Sequence, residues 1–351
     1  MLYIHQTTSI SPQQTFGKAS INQMQESVQN KLHAIEPDYP GIPPGLLRRM
    51  GKAVRIGVGA ALPMLKTVSS PDGIIIGTAN GGMEDCIKFL NQIIEYNEGL
   101  LAPGNFVQST ANAIASTIGL MTSNKKYNIT HVHRGLAFEN ALIDALMLSK
   151  ENPSGNYLLG AVDEISAYNY NIDYLDGWYK KEAVSNLNLY QTNSAGSIAG
   201  EGAVMFLVNG ISAGARASIQ AIASIHSDDE NIVEDRLRDF IEANLNADEK
   251  IDLLITGENG DNRLLRYYIA CENIFADGTT IARFKHMSGE FPTASAIGVW
   301  LACYIFQTQS LPDHMIKRNP SKKHFSRILL YNNFKGRQHS FMMLSRPNNP
   351  V

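Results

Sequence analysis

Side chains able to act as nucleophiles or acid–base groups are sparse in this chain. The cysteines Cys86, Cys271 and Cys303 lie far apart. None forms a Cys-x-x-Cys pair or has a histidine at ligand spacing, which argues against a structural zinc site or any other metal site. An odd, sparse thiol count suits a reducing compartment. Cys86 falls on the amphipathic stretch 81–96 and Cys303 in the apolar run 294–307, so both read as core thiols. The densest cluster is His131, His133 and Arg134. Its histidines could supply acid–base groups. No Cys, Ser or Thr occurs from His131 to Glu139 to accompany them, so packing is the stronger reading. Arg134 precedes a helix, where a cation opposes the dipole. The expectation is a buried ion pair with Glu139, Glu164 or Glu290, and the alternative is capture of a ligand carboxylate. The glycine-rich 77–82 lacks both the G-x-G-x-x-G and the Walker patterns, so it is no nucleotide loop.

These groups must be positioned by the elements around them. The 351 residues are 44% hydrophobic and 18% charged, with a net charge of −3. That excludes a disordered or fibrous chain and gives no basic field for nucleic acid. The N-terminus turns polar too early for a signal peptide. The most apolar run, 294–306, is shorter than the ~20 residues that span a bilayer. A soluble cytoplasmic protein is expected, with neither nucleic acid nor membrane as partner. Strand-type runs at 73–77, 127–132, 157–162, 203–208, 217–224 and 251–256 alternate with helical runs at 46–65, 81–96, 137–149, 232–245 and 294–307. Another helix is expected to open at 106–112, capped by Ser109 or Thr110, and a hairpin to close the chain at 327–344. Such alternation predicts an α/β fold with buried sheets. The two halves share a style, which suggests duplication. Residues 1–45 are polar and Pro-rich and read as an arm, 46–210 as one half, and 211–351 as the other. Residues 165–195 look like a long surface excursion.

Six segments, in order, resemble the β-ketoacyl synthase branch of the thiolase superfamily. They are Gly77-Thr78-Ala79-Asn80-Gly81-Gly82, Phe106-Val107-Gln108-Ser109-Thr110 with Asn112, and Leu159-Gly160-Ala161-Val162-Asp163-Glu164, followed by Ala199-Gly200-Glu201-Gly202-Ala203, Lys285-His286-Met287-Ser288-Gly289-Glu290 and Tyr331-Asn332-Asn333-Phe334. The resemblance implies a thiolase fold, with duplicated halves in a five-layer αβαβα arrangement. The family's chemistry uses a cysteine at a helix N-terminus and two histidines. In the register set by Asn112 and Ala145, the cysteine position holds Gly135, the first histidine position Gly257 and the second Glu290. No catalytic residue is therefore assigned. Lys285 is the part of the constellation that survives, and His133, Arg134, Glu164, Lys285 and Phe106 are the pocket candidates.

The implied role is that of a chain-length factor, a subunit that pairs with an active ketosynthase. His133-Arg134-Gly135 and Phe138-Glu139 further resemble ketosynthase-like proteins of aryl polyene and flexirubin-type pigment clusters. Expected partners are an active ketosynthase or a second copy, and an acyl carrier protein. No cofactor is expected beyond the phosphopantetheine that the carrier brings. Alternatives are altered acyl-transfer or hydrolytic chemistry using His133 and Glu290, or a stand-alone acyl-binding homodimer. The resemblance places 106–120 at a dimer interface through Phe106, Val107, Ile114 and Ile118, with Phe106 and Met121 bounding the acyl chain. The acid-free C-terminal run of Lys317, Arg318, Lys322, Lys323, Arg327, Lys335, Arg337 and Arg346 is either a solvated surface or a docking site for the acidic carrier protein.

Overall fold

The computed structural model describes all residues except 40, 69, 247, 277, 319–323 and 348–351. The first half runs β1 (Leu2–Ile10), β2 (Lys31–Leu32), α1 (Pro44–Leu47), α2 (Lys52–Leu65), β3 (Gly73–Gly77), α3 (Met83–Glu95), α4 (Pro103–Gln108) and α5 (Ala113–Met121). It continues through β4 (Tyr127–His131), α6 (Ala137–Glu151), β5 (Tyr157–Asp163), α7 (Ala167–Leu175), β6 (Ala199–Gly200) and β7 (Gly202–Asn209). The second half runs β8 (Ala217–His226), α8 (Glu230–Asn244), β9 (Leu253–Thr256), α9 (Leu265–Glu272), β10 (Thr280–Arg283), α10 (Lys285–Ser288), α11 (Ser295–Thr308), β11 (Ile316–Arg318), β12 (Arg327–Phe334) and β13 (Gln338–Ser345).

The duplication is written in the sheet. Eleven strands follow the order β11-β10-β9-β12-β13-β8-β1-β7-β5-β3-β4. In the first half β3 pairs in parallel with β4 and β5, and β7 pairs antiparallel with β5 and β1. In the second half β9 pairs in parallel with β10 and β12, and β13 pairs antiparallel with β12 and β8. Strand order and direction are thus the same in both halves. They meet where Leu2–Ile4 of β1 pair with Ala217–Ile219 of β8.

Alternation along the strands sorts side chains into layers. Ile74 and Ile76 of β3 face one core with α2 and α5, while Ile75 faces a second. Ile328 and Leu330 of β12 face that second core, and Leu329 and Tyr331 a third with α8 and α9. The shared middle core is filled by α6 and α11. Nearly every residue of α11 is buried, as befits a helix apolar on all sides. This is the expected αβαβα layering, with both faces of the sheet covered. At Gly57 of α2 a Cβ would come within 2.7 Å of Ile114 Cγ2, so only glycine lets α2 lie this close to α5.

Three expectations need correction. The arm over 1–45 begins with a central strand: β1 lies between β7 and β8, and Leu2 and Ile4 are fully buried. Its alternating Leu2-Tyr3-Ile4 pattern was present, but its partners lie some two hundred residues away in sequence. The helix at 46–65 is two helices, separated at 48–51. The helix at 106–112 is the end of α4, followed by a fresh start at α5 with Asn112 as its N-terminal boundary.

Candidate functional site

Strand ends and helix starts converge between the two halves. Asp163, at the end of β5, accepts the backbone N–H groups of Ala79 and Asn80 at 3.0 Å each, and the hydroxyls of Thr78 at 3.2 Å and Thr293 at 2.8 Å. One buried carboxylate thereby fixes the glycine-rich exit of β3 against the segment that leads into α11. On this frame the structure brings Gly135, Gly257 and Glu290 around the last residues of β12.

Gly135 sits in the tight turn between β4 and α6. Its N–H donates to Gln338 Oε1 at 2.9 Å. A Cβ at this position would lie 2.3 Å from Phe334 Cβ and 2.4 Å from Phe334 Cγ. Phe334 therefore occupies the space a side chain at 135 would need. Gly257 follows β9, and a Cβ there would lie 2.3 Å from Asn332 Oδ1. Its carbonyl accepts the Tyr268 hydroxyl at 2.6 Å. Glu290 accepts Lys285 Nζ on both oxygens at 2.7 Å and Asn259 Nδ2 at 2.6 Å. Burial pushes the Glu290 carboxyl up, and the Lys285 ammonium pulls it back down. Lys285 itself is fully buried and also approaches the Asn333 carbonyl.

Glu139, on the first turn of α6, completes the cluster. It is fully buried, and Ser340 Oγ donates to one of its oxygens at 2.7 Å. Its other oxygen, Asn332 Oδ1 and Asn333 Nδ2 have no partner among the described residues. Burial raises the Glu139 carboxyl to about 7. The assembled chemistry is a buried ion pair, a carboxyl poised near neutrality and two asparagines. None of these groups is a thiol or a catalytic histidine. In the sequence Glu139 stands as an ion-pair candidate for Arg134 and within the Phe138-Glu139 resemblance, and Phe334 only as the end of the Tyr331–Phe334 motif, with no link to Gly135. The signal for Glu139 was a carboxylate beside Phe138 on the buried face of a helix; Phe334 carried no signal beyond its motif.

The other pocket candidates disperse. Glu164 lies at the start of α2, accepts the Ala53 N–H at 3.0 Å, and is raised by burial to about 7. His133 is exposed, with Nδ1 3.3 Å from Gln338 Nε2. His131 Nε2 lies 3.0 Å from Asp144 Oδ2 of α6. Arg134 is exposed at φ +47° and has no ion pair among the described residues. Its expected carboxylate partners are taken by Ser340, Ala53 and Lys285, so the buried ion pair assigned to it is corrected. Phe106 is exposed on α4 and packs on Phe89 with ring centres 5.3 Å apart. Ile114 and Ile118, expected at an interface, are fully buried within the chain. The C-terminal basic run is not a free surface either. Lys317 pairs with Glu258 and Glu272, Arg327 with Glu249, and Lys335 with Asp173. Lys322 and Lys323 lie outside the described residues, whereas Arg337 and Arg346 are exposed. Among the described residues no group of His, Cys, Asp and Glu could hold a metal, and no helix is long and apolar enough to cross a membrane.

Residues 21–178 match the family model "Beta-ketoacyl synthase, N-terminal domain". A search of curated protein sequences finds no match. Among solved structures, the chain is similar to a β-ketoacyl synthase from Burkholderia phymatum STM815, with TM-score 0.77 and 13% identity over 98% of this chain and 99% of that one. It is similar to AntDE:AntF, a type II polyketide synthase acyl-carrier protein in complex with its ketosynthase bound to the hexaketide (TM-score 0.77, 11% identity, 98% and 99% covered). It is also similar to the ketosynthase ApeO in complex with its chain length factor ApeC from Xenorhabdus doucetiae (TM-score 0.76, 12% identity, 98% of each chain). The chain thus has the thiolase fold of these ketosynthases throughout.

Proposed function

We propose that this ketosynthase-like chain does not condense acyl units itself and acts as a chain-length-factor-type partner of an active ketosynthase in fatty-acid or polyketide-type synthesis, of the aryl polyene or flexirubin kind. One observation carries the reading. At Gly135, where the acyl-accepting cysteine would stand, Phe334 fills the space for any side chain. Gly257 and Glu290, the latter paired with the buried Lys285, stand at the two histidine positions in this reading, so the group that would stabilise a developing negative charge is also replaced. In this reading the active ketosynthase supplies the nucleophile, and an acyl carrier protein brings the growing chain on its phosphopantetheine arm. This chain supplies the exposed face of α3, α4 and β4, with Phe106 among the residues that bound the acyl chain.

The test is reconstitution. An active ketosynthase, carrier protein and malonyl donor are combined with and without this chain, and products are sized by mass spectrometry. The expected result is a defined product length only in the complete mixture. Identical product lengths in both mixtures would refute the partner role. Condensation by this chain alone would refute the absence of catalytic machinery.

A further inference from the structure

A second site opens at the far end of α11 from Glu290. β1 pairs with β7 as far as Ile10 but with β8 only from Leu2 to Ile4. At that point the chain before β8 turns away, and Arg216 donates its backbone N–H to Ile4 O at 2.8 Å. Beyond it the open side of β1, Phe16 and α11 enclose a cavity of about 440 Å³. That volume suits a small ligand.

Its wall carries specific chemistry. Trp300, Tyr304 and Gln307 recur at helical spacing and share one face of α11. The Trp300 and Tyr304 rings stack with centres 5.7 Å apart. Trp300 is 5% exposed and Thr8 is 9% exposed. Among the described residues the Trp300 indole N–H and the Thr8 hydroxyl make no hydrogen bond; both are reached by solvent and so are open to a ligand in the groove. Arg216 borders the same cavity, is exposed, and has no ion pair among the described residues. Among the described residues no Asp or Glu lines the groove, so none of these side chains repels an anion.

We propose that this groove is a binding site for a small aromatic carboxylate. The ring packs on the Trp300–Tyr304 face, the carboxylate engages the Arg216 guanidinium, and the Trp300 N–H and Thr8 hydroxyl complete the hydrogen bonding. The site shares no side chain with the cluster at Gly135, so its function is independent of the partner role.

The experiment uses the fact that the chain has 2 tryptophans. In a Trp178→Phe variant Trp300 is the sole reporter, and its emission is followed while benzoate is added. The expected result is a saturable change, weakened about tenfold or more by Arg216→Gln, in line with loss of a charge-assisted hydrogen bond. Benzyl alcohol, which lacks the charge, and cyclohexanecarboxylate, which lacks the aromatic ring, should bind far more weakly. Absence of a saturable change overturns the site, and so does equal affinity in Arg216→Gln or equal affinity for benzyl alcohol. Arg216 lies at the surface, so that variant keeps the fold, which circular dichroism checks.

Discussion

Gly135 and Phe334 form a steric pair that can be tested as one. Placing a side chain at 135 must displace Phe334, and overpacking of this kind costs about 1–3 kcal/mol. Gly135→Cys should therefore lower stability, and Phe334→Ala should lower it by about 3–5 kcal/mol through the cavity left behind. Together the two changes should cost clearly less than their sum, because the new thiol enters the space the ring has left. Urea denaturation of the four proteins checks this, and strict additivity would mean the two residues do not compete. The Lys285–Glu290 pair behaves differently. Removing one partner strands a buried charge, so Glu290→Gln should cost about 3–5 kcal/mol. Adding Lys285→Met to that variant should recover part of the loss. A double variant less stable than Glu290→Gln in the same denaturation assay would remove the ion pair from the account. The sequence shows directly that no Cys, Ser or Thr stands from His131 to Glu139. What packs against Gly135 is not legible there, because Phe334 reaches it from a strand far away in the chain.

Between elements, buried hydrogen bonds do what no local pattern could announce. The Tyr190 hydroxyl lies 3.2 Å from His286 Nδ1, His286 Nε2 lies 2.8 Å from His314 Nδ1, and His314 Nε2 lies 2.8 Å from the Ile21 carbonyl. That chain ties the excursion at 186–191, α10, the turn before β11 and the N-terminal segment together. The Ile21 carbonyl can only accept, so His314 Nε2 donates to it. Burial, with His314 and Arg283 nearby, lowers His286 to about 3. Unfolded, the same side chain would titrate near 6.5. The unfolded state therefore binds the extra proton as pH falls, and stability is full above pH ~6.5 and lost progressively toward pH ~3. The stability difference between the wild type and His286→Asn should be flat above pH ~6.5 and move against the wild type below it, as chemical denaturation at several pH values would show. A difference independent of pH would mean that His286 titrates alike in the folded and the unfolded chain. Strands such as β3 and β5 were legible because short apolar runs punctuated by glycine read as strands buried on both faces. β1 was not, because His5-Gln6-Thr7-Thr8-Ser9 looks like loop until β7 is laid beside it.

At the scale of the whole molecule, one face is unfinished. α3 is amphipathic yet buries none of its residues. Around it Leu100 is 95% exposed, Ile94 77% and Val107 67%, and Leu90, Phe106 and Val132 are exposed as well. β4 ends the sheet beside them, with no strand on its outer side among the described residues. A bare strand edge flanked by apolar side chains invites association. Each such side chain gains about 1.5–3 kcal/mol when fully covered. A chain of the same fold, whether a second copy or an active ketosynthase, would offer a matching edge strand. Apolar character alone could not say which residues wait for that partner: Ile114 and Ile118 look as sticky as Val107 in the sequence but pack against α2 and β3 within their own chain. The two kinds of position predict opposite phenotypes. Ile94→Asp combined with Val107→Asp should leave the circular dichroism and melting temperature near wild type while abolishing dimers in light scattering. Ile114→Asp should unfold the chain, because it buries an unpaired carboxylate in a closed core. If the Ile94/Val107 variant still forms a dimer, or if the wild type is monomeric both alone and beside the proposed ketosynthase partner, this face is not the one that binds.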